Sequence, residues 1–395
     1  MKLGIAGPLL TSPFRDHLYP GTVDRPFLPR GLGGIPVVHL ALALLERGWH
    51  LTIFTLDPEV PEEVVLEGPR LKICVGPYRP RHRARDFFGV ERRYLREAIR
   101  REAPDLVHAH WTYEFALGAL ESGVPTVVTA HDAPVRGLLF DSSPYRIMRL
   151  LMASKVARLA RSITAVSPYV ARHFERVLRH PNPIRVIPNG LPSTVFVLGG
   201  ERQPPASETV TFATVLNGWG KLKNGKAALE AFARVRAAAP NVRLLMFGDD
   251  YGEGQKAAAW ARDRHFIPGV EFFGPLPYAE LLARLAREVD VLVHPSLHES
   301  FSLAIAEAMA LGVPVIGGIR SGGVPFTLDE GRAGLLVDVV SPKRLADAML
   351  RLVGDPNLRL QVGCNGRESA LRRFRIEDVA AAYENGYQDL ARAAI

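Results

Sequence analysis

Cysteine is almost missing from this chain: Cys74 and Cys364 are the only two in 395 residues. Two are too few for a disulfide framework or a structural zinc site, and a reducing cytosol is the compartment they fit. Long apolar runs are missing too, since no stretch approaches the roughly 18 residues that a membrane-spanning helix needs. The opening segment MKLGIAGPLL carries one lysine and an apolar run, but Gly4, Gly7 and Pro8 interrupt it. It therefore reads as a first buried strand and its loop rather than a signal peptide. Low complexity and internal repeats are absent. What remains is an ordinary soluble composition, 47% hydrophobic and 23% charged, in a chain long enough for two or three domains with sizeable cores.

Positive charge is unevenly placed. Residues 1–200 hold 26 Lys+Arg against 18 Asp+Glu, whereas residues 201–395 hold 23 of each, so the first half carries the whole net charge of +8. Nine arginines lie between Arg79 and Arg101, interleaved with Phe87, Phe88 and Tyr94. A solvated basic helix is the ordinary meaning of such a run. The functional one is an anionic partner met through residues 79–101, either a membrane surface or a phosphate-bearing molecule. Nucleic acid is not expected, because no recognition motif accompanies the charge.

Short apolar runs alternate with helical periodicity along the chain, which predicts parallel sheets with crossover helices. Strands are expected near Leu3–Ala6, His50–Thr55, Leu71–Val75, Asp105–Ala109, Val124–Ala130, Ser162–Val166 and Ile184–Ile187. A second set is expected near Thr209–Val215, Val242–Phe247, Val270–Phe273, Val289–Val293, Val313–Gly317 and Gly334–Val337. Between them, Leu198-Gly199-Gly200 through Pro204-Pro205 lacks periodicity and has breakers at both ends, so it is the expected linker. Two Rossmann-like domains follow, 1–200 and 206–372, with a last helix after the second sheet is complete. Ligands of such sheets bind beyond the carboxyl ends of the strands.

The most informative run is HESFSLAIAEAMALGVPVI from His298, in which seven residues separate Glu299 and Glu307. It reads as a tight turn, a helix and a buried strand. Serines 300 and 302 mark the helix start, since a serine hydroxyl can satisfy an orphan N–H there. Free N–H groups and the helix dipole make a seat for phosphate. A carboxylate accepts two hydroxyls of a diol, so one glutamate suits a ribose and the other a sugar.

The whole run resembles the retaining family-4 glycosyltransferases of the two-domain GT-B class, with Glu299, Glu307, Ala308-Met309-Ala310 and Gly312-Val313-Pro314-Val315 carrying the match. That resemblance implies two Rossmann-like domains facing across a cleft, with helix 376–395 packing back on the first. It implies transfer of a sugar from a nucleotide-diphosphate donor, UDP or GDP, to the hydroxyl of a glycan, glycolipid or small molecule. Glu307 would hold the ribose, the Phe301, Ser302 and Leu303 amides the diphosphate, and Glu299 the sugar. In NGWGKLKNGKAALEAF from Asn217, Glu230-Ala231-Phe232 sets a register that puts Lys223 on the family's diphosphate lysine. The same register puts Gly218 where relatives carry arginine, and Lys221 is the expected substitute. FFGPLP resembles the loop that would make the Leu276 backbone a base contact. By the same resemblance Gly34, in the Gly33-Gly34 pair, would face the diphosphate. TAHD resembles the segment of the active-site histidine, so His131 would position the donor sugar and handle protons near neutral pH, with Asp132 orienting it or an acceptor hydroxyl. The upstream His108 and His110 match a strand read as structural.

His131, Glu299 and Lys223 are thus the candidate catalytic residues. Phe326 departs from the family at a position where relatives often carry glutamate. Asp249-Asp250 lacks the Asp-x-Asp spacing that metal-dependent transferases use, so neither a metal nor a cofactor is expected. The expected location is cytoplasmic, peripheral at the inner membrane face. Two other readings use the same residues: a sugar-nucleotide epimerase or hydrolase, and a non-catalytic sugar-nucleotide-binding scaffold. Turnover of donor without acceptor marks the first, and donor binding without any transfer marks the second.

Overall fold

The computed structural model describes residues 1–24, 27–203 and 207–393. The chain divides into two units, one of Met1–Gly190 with Ile376–Ile395 and the other of Leu191–Arg375. The first is built on strands β1 (Lys2–Ala6), β2 (His50–Asp57), β3 (Val64–Glu67), β4 (Leu71–Pro77), β5 (Leu106–His110), β6 (Thr126–Ala130), β7 (Ser162–Ala165) and β8 (Arg185–Val186), in the order β3-β4-β2-β1-β5-β6-β7-β8. The second uses β9 (Val210–Val215), β10 (Val242–Phe247), β11 (Val270–Gly274), β12 (Val291–His294), β13 (Val315–Gly318) and β14 (Leu335–Val337), ordered β11-β10-β9-β12-β13-β14.

The central strands, such as β5, β6, β12 and β13, are buried on both faces, which is what crossover helices on each side of a parallel sheet demand. In the first sheet β5 returns beside β1 after β2 and β4 have extended the other way; in the second, β12 returns beside β9. Each reversal opens a crevice at the strands' carboxyl ends.

Three differences from the sequence reading stand out. The antiparallel edge strand β3, paired with β4, was not expected, because VVLE is short and fenced by glutamates and Gly-Pro. The expected linker begins inside a helix, Ser193–Gly200, that belongs to the second unit; Pro204 and Pro205 lie outside the described residues. The chain crosses between units at Gly190–Leu191 and again at Arg375–Ile376.

The terminal helix, Ile376–Ala393, buries Ile376, Val379, Ala380, Tyr383 and Tyr387 in the first unit's core. Glu384 fastens it, accepting from Arg47 Nη2 at 2.5 Å and from Trp49 Nε1 at 2.6 Å.

Most of the arginine tract is occupied within the first unit. Arg79 donates to Glu91, fully buried, and to Asp86; Arg92 pairs with Glu121, Arg96 with Glu97, and Arg101 with Glu63 and Glu102. Arg100 donates to the Ser122 and Glu121 carbonyls, and Arg83 to backbone while lying over the Tyr78 ring. Arg81, Arg85 and Arg93 are exposed and make no ion pair among the described residues. No described helix is long and apolar enough to cross a membrane.

Candidate functional site

In the second unit the two loops flanking the β9/β12 reversal lie against each other. Leu297 N–H donates to Leu222 C=O at 2.8 Å, and the Asn224 amide donates to the Pro295 and Val339 carbonyls at 3.1 and 2.9 Å. Lys223 therefore reaches the loop that carries Glu299. That loop is closed from behind by Gly322-Gly323: Glu299 N–H donates to Ser321 C=O at 3.3 Å, and Gly323 N–H to Glu299 C=O at 2.7 Å. A Cβ on Gly323 would stand 2.1 Å from Ser300 O, so the backbone there approaches too closely for any side chain. Gly323→Ala should displace the Glu299 loop and weaken nucleotide binding while most of the core stays intact, which calorimetry and circular dichroism would check together.

Ser302 has φ 76°, in the left-handed region, and caps the helix Leu303–Ala310 by accepting from Ile305 N–H at 3.4 Å. Such strain at a helix start persists only where its surroundings impose it. Here they do: the Phe301 ring is buried edge-on against Phe374, and Thr327 Oγ1 donates to Phe301 C=O. The Phe301 side chain is a core anchor, so only its amide is available to a ligand. The first-turn N–H groups then project from a helix N-terminus beside Lys223, two positive features at one crevice.

Lys223 Nζ donates to Glu299 Oε1 at 2.7 Å, and His294 Nε2 lies 3.3 Å from the same oxygen. Burial, the strongest influence, would raise the Glu299 carboxyl. It is outweighed by the His294 hydrogen bond and the Lys223 charge, so Glu299 is held well below the usual carboxylate range. Glu307, on the helix, is 5% exposed. Burial pushes it up to about 7, against a smaller opposing effect from Tyr278 Oη, which donates to its Oε1 at 2.9 Å. The two glutamates thus differ in charge state for a physical reason, one partnered by a cation and the other by a phenol.

The structure therefore gathers Lys223, Glu299, Ser302 and Leu303 together, and brings Glu307 to the loop of Leu276 through Tyr278. His294 and Tyr278 were missed by the sequence reading. His294 ends an apolar strand, where a histidine reads as core, and Tyr278 looks like the first residue of a surface helix. Lys221 is exposed and unpaired among the described residues, and a Cβ at Gly218 would meet nothing. Gly218 has φ 90°, a conformation that an arginine would adopt only under strain. Phe326 is half-buried under the Arg373 guanidinium, 4.6 Å from its ring centre, in a packing role.

In the first unit, Gly34 caps the helix Ile35–Glu46 at φ 80°, with a would-be Cβ 1.9 Å from Pro8 O. Gly34→Ala should cost about 1–3 kcal/mol from the backbone conformation alone, and the overlap adds to it; thermal denaturation would read the loss. His131 follows β6 and stacks on Trp111 with ring centres 4.2 Å apart. Its Nε2 lies 3.0 Å from His110 Nδ1. Burial pushes His131 down to about 3, so it is neutral across the physiological range. Burial thus opposes the expected proton handling near neutral pH, since no group among the described residues beside the ring repays the cost of charging it there. Asp132 orients neither histidine among the described contacts; it accepts from Tyr113 Oη at 2.6 Å, and burial raises its carboxyl. Arg149 lies 3.4 Å over the Tyr113 ring, and its Nη1 is 3.9 Å from the buried Glu114.

These geometries meet known proteins at full length. The model of Glycosyltransferase Family 4 matches residues 34–194, and that of Glycosyl transferases group 1 matches residues 201–369. A D-inositol 3-phosphate glycosyltransferase of Corynebacterium jeikeium is 30% identical, over 97% of this chain and 96% of its own. Among solved structures, the sucrose-phosphate synthase of Thermosynechococcus elongatus aligns over 100% of both chains at 22% identity with a TM-score of 0.76. The Anabaena protein HepE, solved in complex with UDP and glucose, aligns over 98% of this chain and 100% of its own at 16% identity with a TM-score of 0.69. The two doubly wound units have the GT-B fold, and the chain belongs to the family-4 glycosyltransferases, enzymes that move a sugar from a nucleotide donor to an acceptor.

Proposed function

We propose that this enzyme is a retaining, metal-independent transferase that takes its sugar from a uridine diphosphate donor. The observation that carries the reading is the Lys223–Glu299–His294 cluster beside the N-terminus of the Leu303–Ala310 helix, at the sheet reversal of the second unit. Breaking the glycosidic bond leaves negative charge on the departing diphosphate. The Lys223 ammonium and the Phe301–Leu303 amides provide fixed positive charge for it, the role a divalent ion fills elsewhere. Glu299, ionised and acceptor-only, suits sugar hydroxyls. Glu307 suits a ribose diol, and the Leu276 backbone a base edge. Gly34 and His131 are the corresponding ligand contacts of the first unit. Uridine is favoured by HepE, which was solved with UDP and with UDP-glucose.

The acceptor hydroxyl belongs, in this reading, to an anionic molecule or one held at an anionic surface. Support comes from the phosphate that the D-inositol 3-phosphate glycosyltransferases act on by name and from three exposed arginines, Arg81, Arg85 and Arg93, that make no ion pair among the described residues. Changing these three to alanine should abolish any flotation with phosphatidylglycerol vesicles. If the wild type never floats, the membrane part of the proposal is wrong and a cytoplasmic acceptor stands.

Thermal shifts with UDP, GDP, ADP and CMP test the donor site. Ligand at about 100 times its Kd stabilises by roughly 2.7 kcal/mol. A shift with UDP that Glu307→Ala abolishes is the expected result, with a smaller loss in Lys221→Ala. A shift with GDP alone would overturn the uridine assignment. Proton NMR of the first product resolves the anomer, and an inverted product would sink the retaining assignment. Full activity in excess chelator is expected; loss restored by a divalent ion would end metal independence.

A further inference from the structure

The first unit holds a pair of imidazoles whose protons are not independent. His131 Nε2 and His110 Nδ1 face each other at 3.0 Å. Both rings are neutral at physiological pH, His131 pushed down to about 3 by burial and His110 well below its usual value, by burial first and then by its histidine neighbours. Each ring then carries one proton, and only one of the two facing nitrogens can hold it. The other end of His110 breaks the tie. His110 is 2% exposed and its Nε2 is buried with no hydrogen-bond partner among the described residues. Were His131 the donor, the His110 proton would sit on that Nε2 as an orphaned buried N–H. Were His110 the donor, Nε2 would be a bare lone pair. Buried orphan donors are rarer than under-used acceptors, so the second arrangement prevails.

We propose that His110 is a positioning residue that holds His131 in the Nδ1–H tautomer, making it a neutral hydrogen-bond donor to the bound substrate. His131 Nδ1 takes no hydrogen bond among the described residues, so it is the nitrogen left for a ligand. The rest of the unit keeps His110 from turning. Its ring lies against that of His108, with centres 4.0 Å apart and planes tilted by 36°. His108 is itself pinned at both ends, Nδ1 to Tyr387 Oη at 2.7 Å and Nε2 to Thr129 Oγ1 at 2.6 Å. Tyr387 comes from the terminal helix, so that helix braces the histidine pair. A strand histidine that reads as structural is, on this geometry, the device that chooses which atom of His131 meets the substrate. This inference rests on His131 being a substrate contact.

Nitrogen-15 NMR of the imidazoles in the full-length protein tests it, because bare and protonated ring nitrogens differ widely in shift. The expected spectrum shows His131 protonated at Nδ1 and bare at Nε2. Nε2 protonation in the wild type would overturn the proposal, whatever the activity. His110→Asn keeps an N–H near the Nδ1 position and should retain the tautomer and most activity. His110→Asp, when ionised, offers only an acceptor and should move the His131 proton to Nε2, lowering kcat by about 10- to 100-fold, the order seen when the outer partner of a metal-bound imidazole is lost. An unmoved tautomer in His110→Asp also overturns it. If the tautomer moves but kcat does not, tautomer control stands while His131 is not a substrate contact, and that failure belongs to the functional reading rather than to the histidine pair.

Discussion

Lys223→Ala should lower kcat/KM by about 10²- to 10³-fold, the usual loss when one preorganised donor to a developing anion is removed. The side chain has two tasks. It would meet the diphosphate, and in the free protein it donates to Glu299 Oε1 at 2.7 Å. Removing it deletes positive charge where the leaving group departs and takes away one of the two groups that keep Glu299 ionised. Lys223→Arg separates the tasks, since it keeps the charge but not the compact reach of an ammonium, and it should recover binding more than turnover. Steady-state kinetics with a UDP-sugar and measured UDP affinity would check both. A Lys223→Ala enzyme within threefold of wild type would remove the lysine from the mechanism.

The second large effect is a pH dependence carried by Glu307. Its folded value of about 7 stands above the 4.5 of a free glutamate. Between those values the folded chain holds a proton that the unfolded chain has released. Stability from this group is therefore fully present below about 4.5 and falls as pH rises to about 7, by about 3 kcal/mol in all. Glu307→Gln should lose that slope and be more stable than wild type at pH 8, as denaturant titrations would show. Binding should run the other way. If the carboxylate accepts both ribose hydroxyls, UDP binds the ionised form, and wild-type affinity should climb from pH 5.5 to 8. UDP titrates as well, so the telling quantity is the difference between wild type and Glu307→Gln. The same pH slope in both would exclude Glu307 as the ribose ligand.

A buried carboxylate that costs the fold stability at neutral pH is a functional-site candidate on physical grounds. Glu299 and Glu307, alike in a string of letters, behave differently. Glu299 stands in a loop that Lys223 reaches; Glu307 lies within the helix and, among the described residues, has Tyr278 as its side-chain hydrogen-bond partner. Neither partner is near it in sequence.

Period, punctuation and one long motif were enough to reveal alternating strands and helices, two parallel-sheet units, the Glu299–Glu307 helix and its serine start. Those features are local: a strand run, a cap or a glycine turn is specified within a few residues, and parallel sheets impose apolar runs that read directly. The edge strand β3 escaped because its pairing with β4 is decided by the sheet, not by VVLE. His294 and Tyr278 escaped because their chemistry depends on side chains that folding brings to them.

The sequence by itself thus determined the fold class, the family and the loops that bear the candidate site, since each rests on short-range pattern. Only the tertiary structure decided charge and proton placement. Glu299 is ionised, Glu307 poised near neutrality and His131 neutral beside His110, because desolvation and partners across the fold set those states, and both arise only when distant segments pack.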